Sequence, residues 1–366
     1  MGIRVTIRTP PPGDHAPRRI LKGTDMRKVI LVSTLSLLAL ANTACEPGLA
    51  YGDANSVIVV APPDWWPSLE DSVQIGLSPD VWTVRLDHTF RVTYKRPTDD
   101  LWYRFHEVVL IGSEGDPWLA EALATLPDTV EIYAPEIYEA EDVWARNQNV
   151  TIILVDPEGD IPYQVNFRIP TVHRILEDRF LAEAEYRMFV SGRDTALADT
   201  LLALAGFSLI LPEVYDWGVE DSVYVFRNDN PDPAELIRQF TVTWRTPIPL
   251  GLTADSLLDW REAIAAEYFP YPQVVDREGI REAFPHSFRI EIFEVRGVWS
   301  NPPGSTWPAA GAVITWAAHC PLQDRMYLVD AWLYSPSNER DKWEYMLQLE
   351  TILKSFRCGE WSVSSG

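Results

Sequence analysis

Basic residues are scarce in this 366-residue chain, which has 31 Lys and Arg against 53 Asp and Glu and a net charge of −22. An acidic surface repels phosphate backbones and anionic headgroups, so nucleic acid is not an expected partner. Cysteine is scarce too: three residues in the whole chain exclude a disulfide-rich scaffold. Hydrophobic residues at 46% and charged residues at 23% are typical of a folded globular protein.

The uncharged run 29–41 is too short to cross a bilayer, and it directly follows Arg27 and Lys28. Residues 26–45 resemble the signal peptide of an exported bacterial lipoprotein: a basic start, an apolar run and small residues before Cys45. The resemblance implies that the sulfur of Cys45 receives diacylglycerol. The alternative is an ordinary secretory signal that is cleaved near Ala44.

The rest of the N-terminal region follows from this interpretation. Residues 1–25 are read as a start codon assigned too early, and residues 46–55 as a tether. Residues 1–45 hold seven of the basic and two of the acidic residues, so the mature chain keeps 24 basic and 51 acidic residues, a net charge of −27. The expected location is the cell envelope, with a lipid-anchored protein on the periplasmic side or in the outer membrane.

Catalytic and metal-binding signatures are missing. The six histidines, at positions 15, 88, 106, 173, 286 and 319, have no ligand spacing, so neither a metal site nor a cofactor is expected. The turn at 112–115 lacks the G-x-S-x-G spacing of a nucleophile elbow. Glu139, Glu141 and Asp142 form a carboxylate cluster that suits acid/base chemistry only if burial separates their pKa values.

The hydrophobic pattern predicts two domains. Residues 56–192 alternate short apolar strands with helices, including a helix over about 171–190, which is typical of an α/β domain. Residues 193–366 predict a short helix, three strands, a helix, three more strands and a closing helix over 338–356. Cys320 and Cys358 are an even pair in an oxidising compartment, so either one disulfide or two buried thiols fits the sequence.

Four motifs carry a family resemblance: DVWARNQ at 142–148, RGVW at 296–299, AWLYSP at 331–336 and ERDKWEYMLQLETILKSF at 339–356. They resemble a family of bacterial lipoproteins known as domain of unknown function 4837. The order of elements after residue 207 resembles the PsbP/Mog1-like fold. The resemblance implies an α+β protein in which two α/β domains are joined, the second an α/β/α sandwich with an antiparallel sheet. It brings no catalytic residues.

The fifteen tryptophans are the unusual feature of the composition, because Trp both fills cores and stacks on ligands. Polar groups crowd around one of them in segment 142–148, although burying such groups without partners costs about 1 to 3 kcal/mol each. They therefore belong either to a structural network or to a groove, and the groove hypothesis extends from the first domain into the second. Its residues are Asp142, Trp144, Arg146, Gln148, Arg296 and Trp299.

These observations favour a protein that is not an enzyme and that binds an envelope protein, a lipid or a glycan. The alternative is an envelope hydrolase that cleaves glycan or peptide with paired carboxylates. Two carboxyl groups facing each other across a deep pocket would favour the hydrolase. A pocket lined by apolar and aromatic groups would favour the binding protein.

Overall fold

The computed structural model describes residues 47–231, 236–285, 290–305, 308–335 and 341–359. The described residues from Leu49 onward form one compact unit. The predicted signal peptide and Cys45 lie outside the described residues.

The first half of this unit is built on a five-stranded sheet. Its elements are β1 (Ser56–Val60), α1 (Trp66–Leu77), β2 (Asp80–Trp82), β3 (Leu86–His88), β4 (Arg91–Lys95), β5 (Glu107–Gly112), α2 (Ala120–Ala124), β6 (Glu136–Glu141), β7 (Asn149–Leu154) and α3 (Ile161–Met188). The sheet order is β4-β1-β5-β7-β6; the first four strands are parallel and β6 is antiparallel to β7. β2 and β3 form a separate hairpin.

Strands β1, β5 and β7 are continuous apolar runs because both faces of the sheet are buried. Helices α1 and α3 cover one face, and α2 with the Trp102–Arg104 turn covers the other. Helix α3 begins ten residues before the predicted start, so that prediction was wrong. Asp160 caps it by accepting from the Tyr163 N–H at 3.0 Å, and Pro162 suits the first turn, where no amide partner is needed.

The second half contains an eight-stranded antiparallel sheet. Its elements are α4 (Thr195–Ala205), β8 (Phe207–Ser208), β9 (Asp216–Glu220), β10 (Val223–Asn228), β11 (Arg238–Arg245), α5 (Ala254–Tyr268), β12 (Val274–Val275), β13 (Arg281–Ala283), β14 (Glu291–Ser300), β15 (Ala310–Cys320), β16 (Arg325–Leu333), α6 (Trp343–Lys354) and β17 (Arg357–Cys358). The order is β12-β14-β15-β16-β11-β10-β9, with β13 also on β14, while β8 pairs with β17.

Helices lie on both faces of this sheet. α4 and α6 share a core with one face, and α5 shares a core with the other. The second half is therefore an α/β/α sandwich, and the predicted fold class is confirmed. The structure joins Cys320 at the end of β15 to Cys358 in β17, with Cα atoms 6.2 Å apart, within the range that a disulfide spans.

Part of the predicted tether contacts the first sheet region. The Ala50 N–H donates to the Arg146 carbonyl at 2.8 Å, and the Tyr51 N–H donates to the Arg104 carbonyl at 3.0 Å. The His106 N–H in turn donates to the Tyr51 carbonyl at 3.0 Å. Residues 50 and 51 of the predicted tether therefore contact the first half of the unit, several residues before β1.

Candidate functional site

The segment 142–148 is organised by the buried amide of Gln148. Its Nε2 donates to the carbonyls of Tyr103 and Phe105 at 2.8 and 2.9 Å, and its Oε1 accepts from the Trp144 N–H at 3.0 Å. The side chain is fully buried. Gln148 therefore does not line a groove: two of its bonds hold the loop against the backbone of Tyr103 and Phe105, and the third lies within the loop.

The other residues of this segment divide between packing and solvent. Trp144 is half-buried, its ring meets Trp102 edge-on with centroids 5.1 Å apart, and its Nε1 donates to Glu121 Oε2 at 2.7 Å. Asp142 and Arg146 are exposed. Gln148 and Trp144 therefore belong to a structural network, which was the alternative to the groove. The exposed residues Asp142 and Arg146 lie on the outside of the loop.

Arg296 and Trp299 lie on opposite faces of β14, because side chains alternate along a strand and the two are three positions apart. Arg296 binds Glu294 and, across the sheet face covered by α6, Glu350. Trp299 is buried on the α5 face and donates to the Leu333 carbonyl at 3.2 Å. The two residues therefore cannot extend one shared groove.

A small aromatic pocket lies on the α5 face, where β11 begins and β14 and β16 end. Its volume is about 160 Å³. The rings of Trp299 and Trp332 meet at 5.2 Å, and Tyr271 is exposed at the pocket. Its lining residues are Arg227, Ile237, Gln239, Phe269, Pro270, Tyr271, Gln273, Trp299, Asn301, Ala309, Trp332 and Tyr334. We call this the aromatic pocket; no carboxylate is among these lining residues.

Close packing of Trp299 depends on a glycine on the neighbouring strand. Gly311 pairs with Trp299 in the register of β14 and β15. A Cβ on Gly311 would lie 1.7 Å from the Leu333 carbonyl oxygen and 3.1 Å from Trp299 Nε1. The absence of a side chain at this position lets the indole cross β15 to reach β16 and form a pocket wall.

A buried polar network adjoins the aromatic pocket beneath α5. Arg261 of α5 and Asp330 of β16 are each 1% exposed, and Arg261 Nε lies 3.3 Å from both carboxylate oxygens. Thr315 donates to Asp330 at 2.6 Å, and Arg261 also donates to Gln273, a pocket residue. The carboxylate and guanidinium neutralise each other, as a buried charge requires.

Polar atoms without partners concentrate around the same pocket. Gln239 and Trp332 face each other across β11 and β16, and Gln239 Oε1 and Trp332 Nε1 have no hydrogen-bond partner within the described residues. The same holds for Arg227 Nε and Asn301 Oδ1. Such buried orphan groups are uncommon, and here four of them belong to residues that line one cavity.

A larger groove of about 970 Å³ lies on the same face of the sheet. It is open and largely apolar, with Leu250 and Phe284 strongly exposed at its rim. It borders residues 286–289, which lie outside the described residues. We take the smaller aromatic pocket as the candidate site because aromatic rings and polar side chains meet there in one small cavity.

A second cluster of polar groups surrounds Glu107 at the start of β5. Burial raises the pKa of Glu107 to about 7, against the opposing effects of Arg179 and Asn149. Arg179 Nη1 lies 3.2 Å from Glu107, and its Nη2 lies 2.7 Å from Glu139. The arginine therefore joins these two carboxylates, of which only Glu139 is exposed.

Sequence reasoning missed the residues of the aromatic pocket other than Trp299. One signal was present in β11, where Gln239, Thr241 and Thr243 alternate with apolar residues. That pattern indicates a polar, solvated face, whereas α5 covers these three residues and all are buried. Arg261 was missed because its partner Asp330 lies 69 positions along the chain.

Within the described ranges, none of the helices combines the length and apolar character that crossing a bilayer requires. The same part of the chain contains no group of three or more His, Cys, Asp or Glu residues arranged to hold a metal ion.

The sandwich carries the family resemblance. Residues 194–355 match the family described as Domain of unknown function (DUF4837), so the resemblance found in the sequence motifs is confirmed over that segment. The motif at 142–148 lies outside the match. None of the curated proteins matches the chain.

Solved structures similar to this chain include cyanobacterial PsbP (CyanoP) from Synechocystis sp. PCC 6803, at 10% identity and a TM-score of 0.29, over 42% of this chain and 86% of that one. The Ran-binding protein Mog1p of Saccharomyces cerevisiae is similar at 9% identity and a TM-score of 0.30, over 42% and 90%. A mutant form of Mog1 gives 9% and 0.31, over 43% and 93%.

Proposed function

We propose that this protein is a lipid-anchored module of the cell envelope that binds a ligand in the aromatic pocket and catalyses no reaction. The signal-like segment 26–45 supports the location, with Cys45 as the acylated residue. The observation that carries the binding role is the pocket itself: aromatic and polar side chains line one small cavity, and no carboxylate is among the described lining residues.

The size and chemistry of the pocket define what it binds. A volume of about 160 Å³ is below the roughly 300 to 1,000 Å³ of drug-sized sites, so it accepts one ring-sized group rather than a long chain. A ring-shaped ligand group can stack on the aromatic side chains of Trp299, Trp332 and Tyr271. Polar side chains also line the pocket, among them the exposed Tyr271, so the bound group is inferred to carry hydroxyl or amide functions, such as a sugar ring at the end of a glycan.

Thermal stability measured with candidate ligands tests this proposal. Tyr271 is 62% exposed, so Tyr271→Ala removes a pocket wall without opening the core. Tyr163→Ala is the matched control, because Tyr163 is 69% exposed on α3 in the other half of the protein. Soluble glycan fragments, peptides and short-chain lipids are added to each purified protein. A ligand should raise the melting temperature of the wild type and the control, and not of Tyr271→Ala.

Two results would contradict the binding role of the pocket. One is that no member of the panel shifts the melting temperature of the wild type. The other is that a ligand shifts Tyr271→Ala as much as the wild type, which would move the binding site elsewhere.

Glu107 and Glu139 favour a second candidate function, the envelope hydrolase. A carboxyl group with a pKa near 7 suits a general acid, and Glu107 has that property. Its partner Arg179 binds both carboxylates, at 3.2 Å from Glu107 and 2.7 Å from Glu139. Glycan or peptide hydrolysis that is present in the wild type and lost in Glu107→Gln would favour this alternative.

A further inference from the structure

The segment that begins at Leu49 is fixed against the loops that precede β5 and β7. Leu49 bridges Arg146, and Tyr51 bridges Phe105, with their two rings 4.6 Å apart between centroids. The backbone bonds of Ala50 and Tyr51 tie this segment to the carbonyls of both neighbouring loops. The position where the chain enters the folded unit is therefore well defined.

Exposed apolar side chains gather in the segments joined by these bonds. Leu49 is 59% exposed, Tyr51 42%, Leu101 48% and Tyr103 39%. Leu101 and Tyr103 belong to the turn whose carbonyls hold Tyr51 and Gln148. We call Leu49, Tyr51, Leu101 and Tyr103 the entry surface. Tyrosine is a residue that membrane proteins concentrate at the level of the lipid headgroups.

Charge on the entry surface differs from that of the molecule as a whole. The exposed Arg104 and Arg146 lie in the same loops as the exposed Asp100 and Asp142. These four charges sum to zero, whereas the chain after residue 45 carries a net charge of −27. They therefore add little to the repulsion between the acidic protein and an anionic bilayer.

The chain between Cys45 and the entry surface is short in sequence. Glu46, Pro47 and Gly48 are the only residues between Cys45 and Leu49. Four extended residue steps span at most about 14 Å, while the headgroup layer on each side of a bilayer is roughly 5 to 8 Å thick. A lipid on Cys45 therefore leaves the folded unit little room to move away from the membrane.

We propose that the entry surface rests on the lipid bilayer, with Leu49, Tyr51, Leu101 and Tyr103 in the headgroup region beside the lipid on Cys45. This inference rests on the proposed acylation of Cys45. Lipid chains hold the protein at the membrane, and the entry surface supplies the second contact that fixes its orientation. The occupant of this surface is a phospholipid bilayer and not another protein.

Hydrogen exchange measured by mass spectrometry tests the orientation. The acylated mature protein is reconstituted into phosphatidylethanolamine–phosphatidylglycerol vesicles and compared with Cys45→Ser protein mixed with the same vesicles. Amide exchange in residues 49–51 and 100–105 should slow several-fold in the acylated protein only. The double variant Leu49→Glu/Tyr103→Glu should lose that protection. Tyr163→Glu/Phe167→Glu is the matched control, and should keep it because these exposed residues lie on α3.

The possible failures are distinguishable. If the wild type has an unmodified Cys45 and does not float with the vesicles, the proposed acylation is wrong, and the orientation with it. If the wild type is acylated and floats but exchange is unchanged at the entry surface, or slows around Tyr163 and Phe167 instead, only the orientation is wrong.

Discussion

At the scale of single residues, the most demanding feature is the buried pair of Arg261 and Asp330. Both side chains are 1% exposed, so each charge depends on the other and on Thr315 and Gln273 for solvation. Attraction between such charges approximately offsets the cost of removing them from water. We therefore infer that the pair fixes the position of α5 over the sheet beside the aromatic pocket and contributes little to stability.

We predict that Asp330→Ala lowers the free energy of unfolding by about 3 to 5 kcal/mol, because it leaves the Arg261 charge buried without a counter-ion. Replacing both residues, as Arg261→Met/Asp330→Leu, should restore most of this loss. Urea denaturation measures all three proteins. Arg174→Ala, which breaks the exposed pair with Asp178, is the control and should cost less than about 0.5 kcal/mol. A double variant as unstable as the single one would contradict the explanation.

The raised pKa of Glu107 predicts that the stability of the protein depends on pH. Its pKa is about 7 in the folded protein against an ordinary value of 4.5, so the folded state holds the proton more tightly than the unfolded state. The stabilisation is complete below pH 4.5 and is lost as the pH rises to about 7, and its size is on the order of 3 kcal/mol. The difference in stability between wild type and Glu107→Gln should therefore shift against the wild type between pH 5 and pH 7.5. A difference that is independent of pH would contradict the raised pKa.

At the scale of elements, the strands were the most predictable part because their signals are local. The apolar runs of β1, β5 and β7 and the alternation of β11 predict strands whatever they pack against. The start of α3 was mispredicted, although its cap at Asp160 is present in the sequence, because Pro170 interrupts the helical pattern. The aromatic pocket was unpredictable because it combines residues from β10, β11, β14, β16 and the segment after α5.

The proposed groove also shows what could and could not be predicted from the sequence. Alternation along β14 was readable from the sequence and separates Arg296 from Trp299. The role of Gln148 was not readable, because its acceptors Tyr103 and Phe105 lie more than 40 positions away. A cluster of polar residues in sequence therefore indicated a constraint correctly, but not whether the constraint was structural or functional.

Gln148→Ala should destabilise the protein by about 3 kcal/mol, because it leaves buried backbone groups of Trp144, Tyr103 and Phe105 without partners. Chemical denaturation provides the measurement. Gln74→Ala on α1 is the matched control, since Gln74 is half-buried in the other covering layer, and it should cost under about 0.5 kcal/mol. An unchanged stability for Gln148→Ala would reopen a functional role for the segment 142–148.

At the scale of the whole molecule, helix α6 links the two halves. Its first residue, Trp343, is buried in the core of the five-stranded sheet, where it stacks on Phe180 at 4.4 Å and meets Phe90 edge-on at 5.3 Å. Asp341, just before the helix, binds Arg91 at 2.7 Å. Most of the buried residues further along α6 pack on the eight-stranded sheet. The sequence predicts two domains, and these contacts couple their stabilities.

The wild type should therefore unfold in one cooperative transition, and Trp343→Ala should separate it into two. Truncating a buried Trp lowers the free energy of unfolding by about 3 to 5 kcal/mol. In this protein the truncation removes contacts between the two halves. Circular dichroism and tryptophan fluorescence during urea denaturation should coincide for the wild type and diverge for the variant. Trp217→Ala on the edge strand β9 is the control, since Trp217 is 43% exposed, and should keep one transition. Coincident curves for Trp343→Ala would contradict the coupling.

We have proposed that a lipid on Cys45 holds this protein at a membrane. The mass of the N-terminal peptide tests that proposal, in protein purified from the membrane fraction of its native cells. We predict a mature chain that begins at Cys45 and carries a diacylglycerol-sized mass on that residue, and we predict that Cys45→Ser protein lacks it and leaves the membrane fraction. A mature chain with an unmodified N-terminus near residue 45, recovered as a soluble periplasmic protein, would contradict the account.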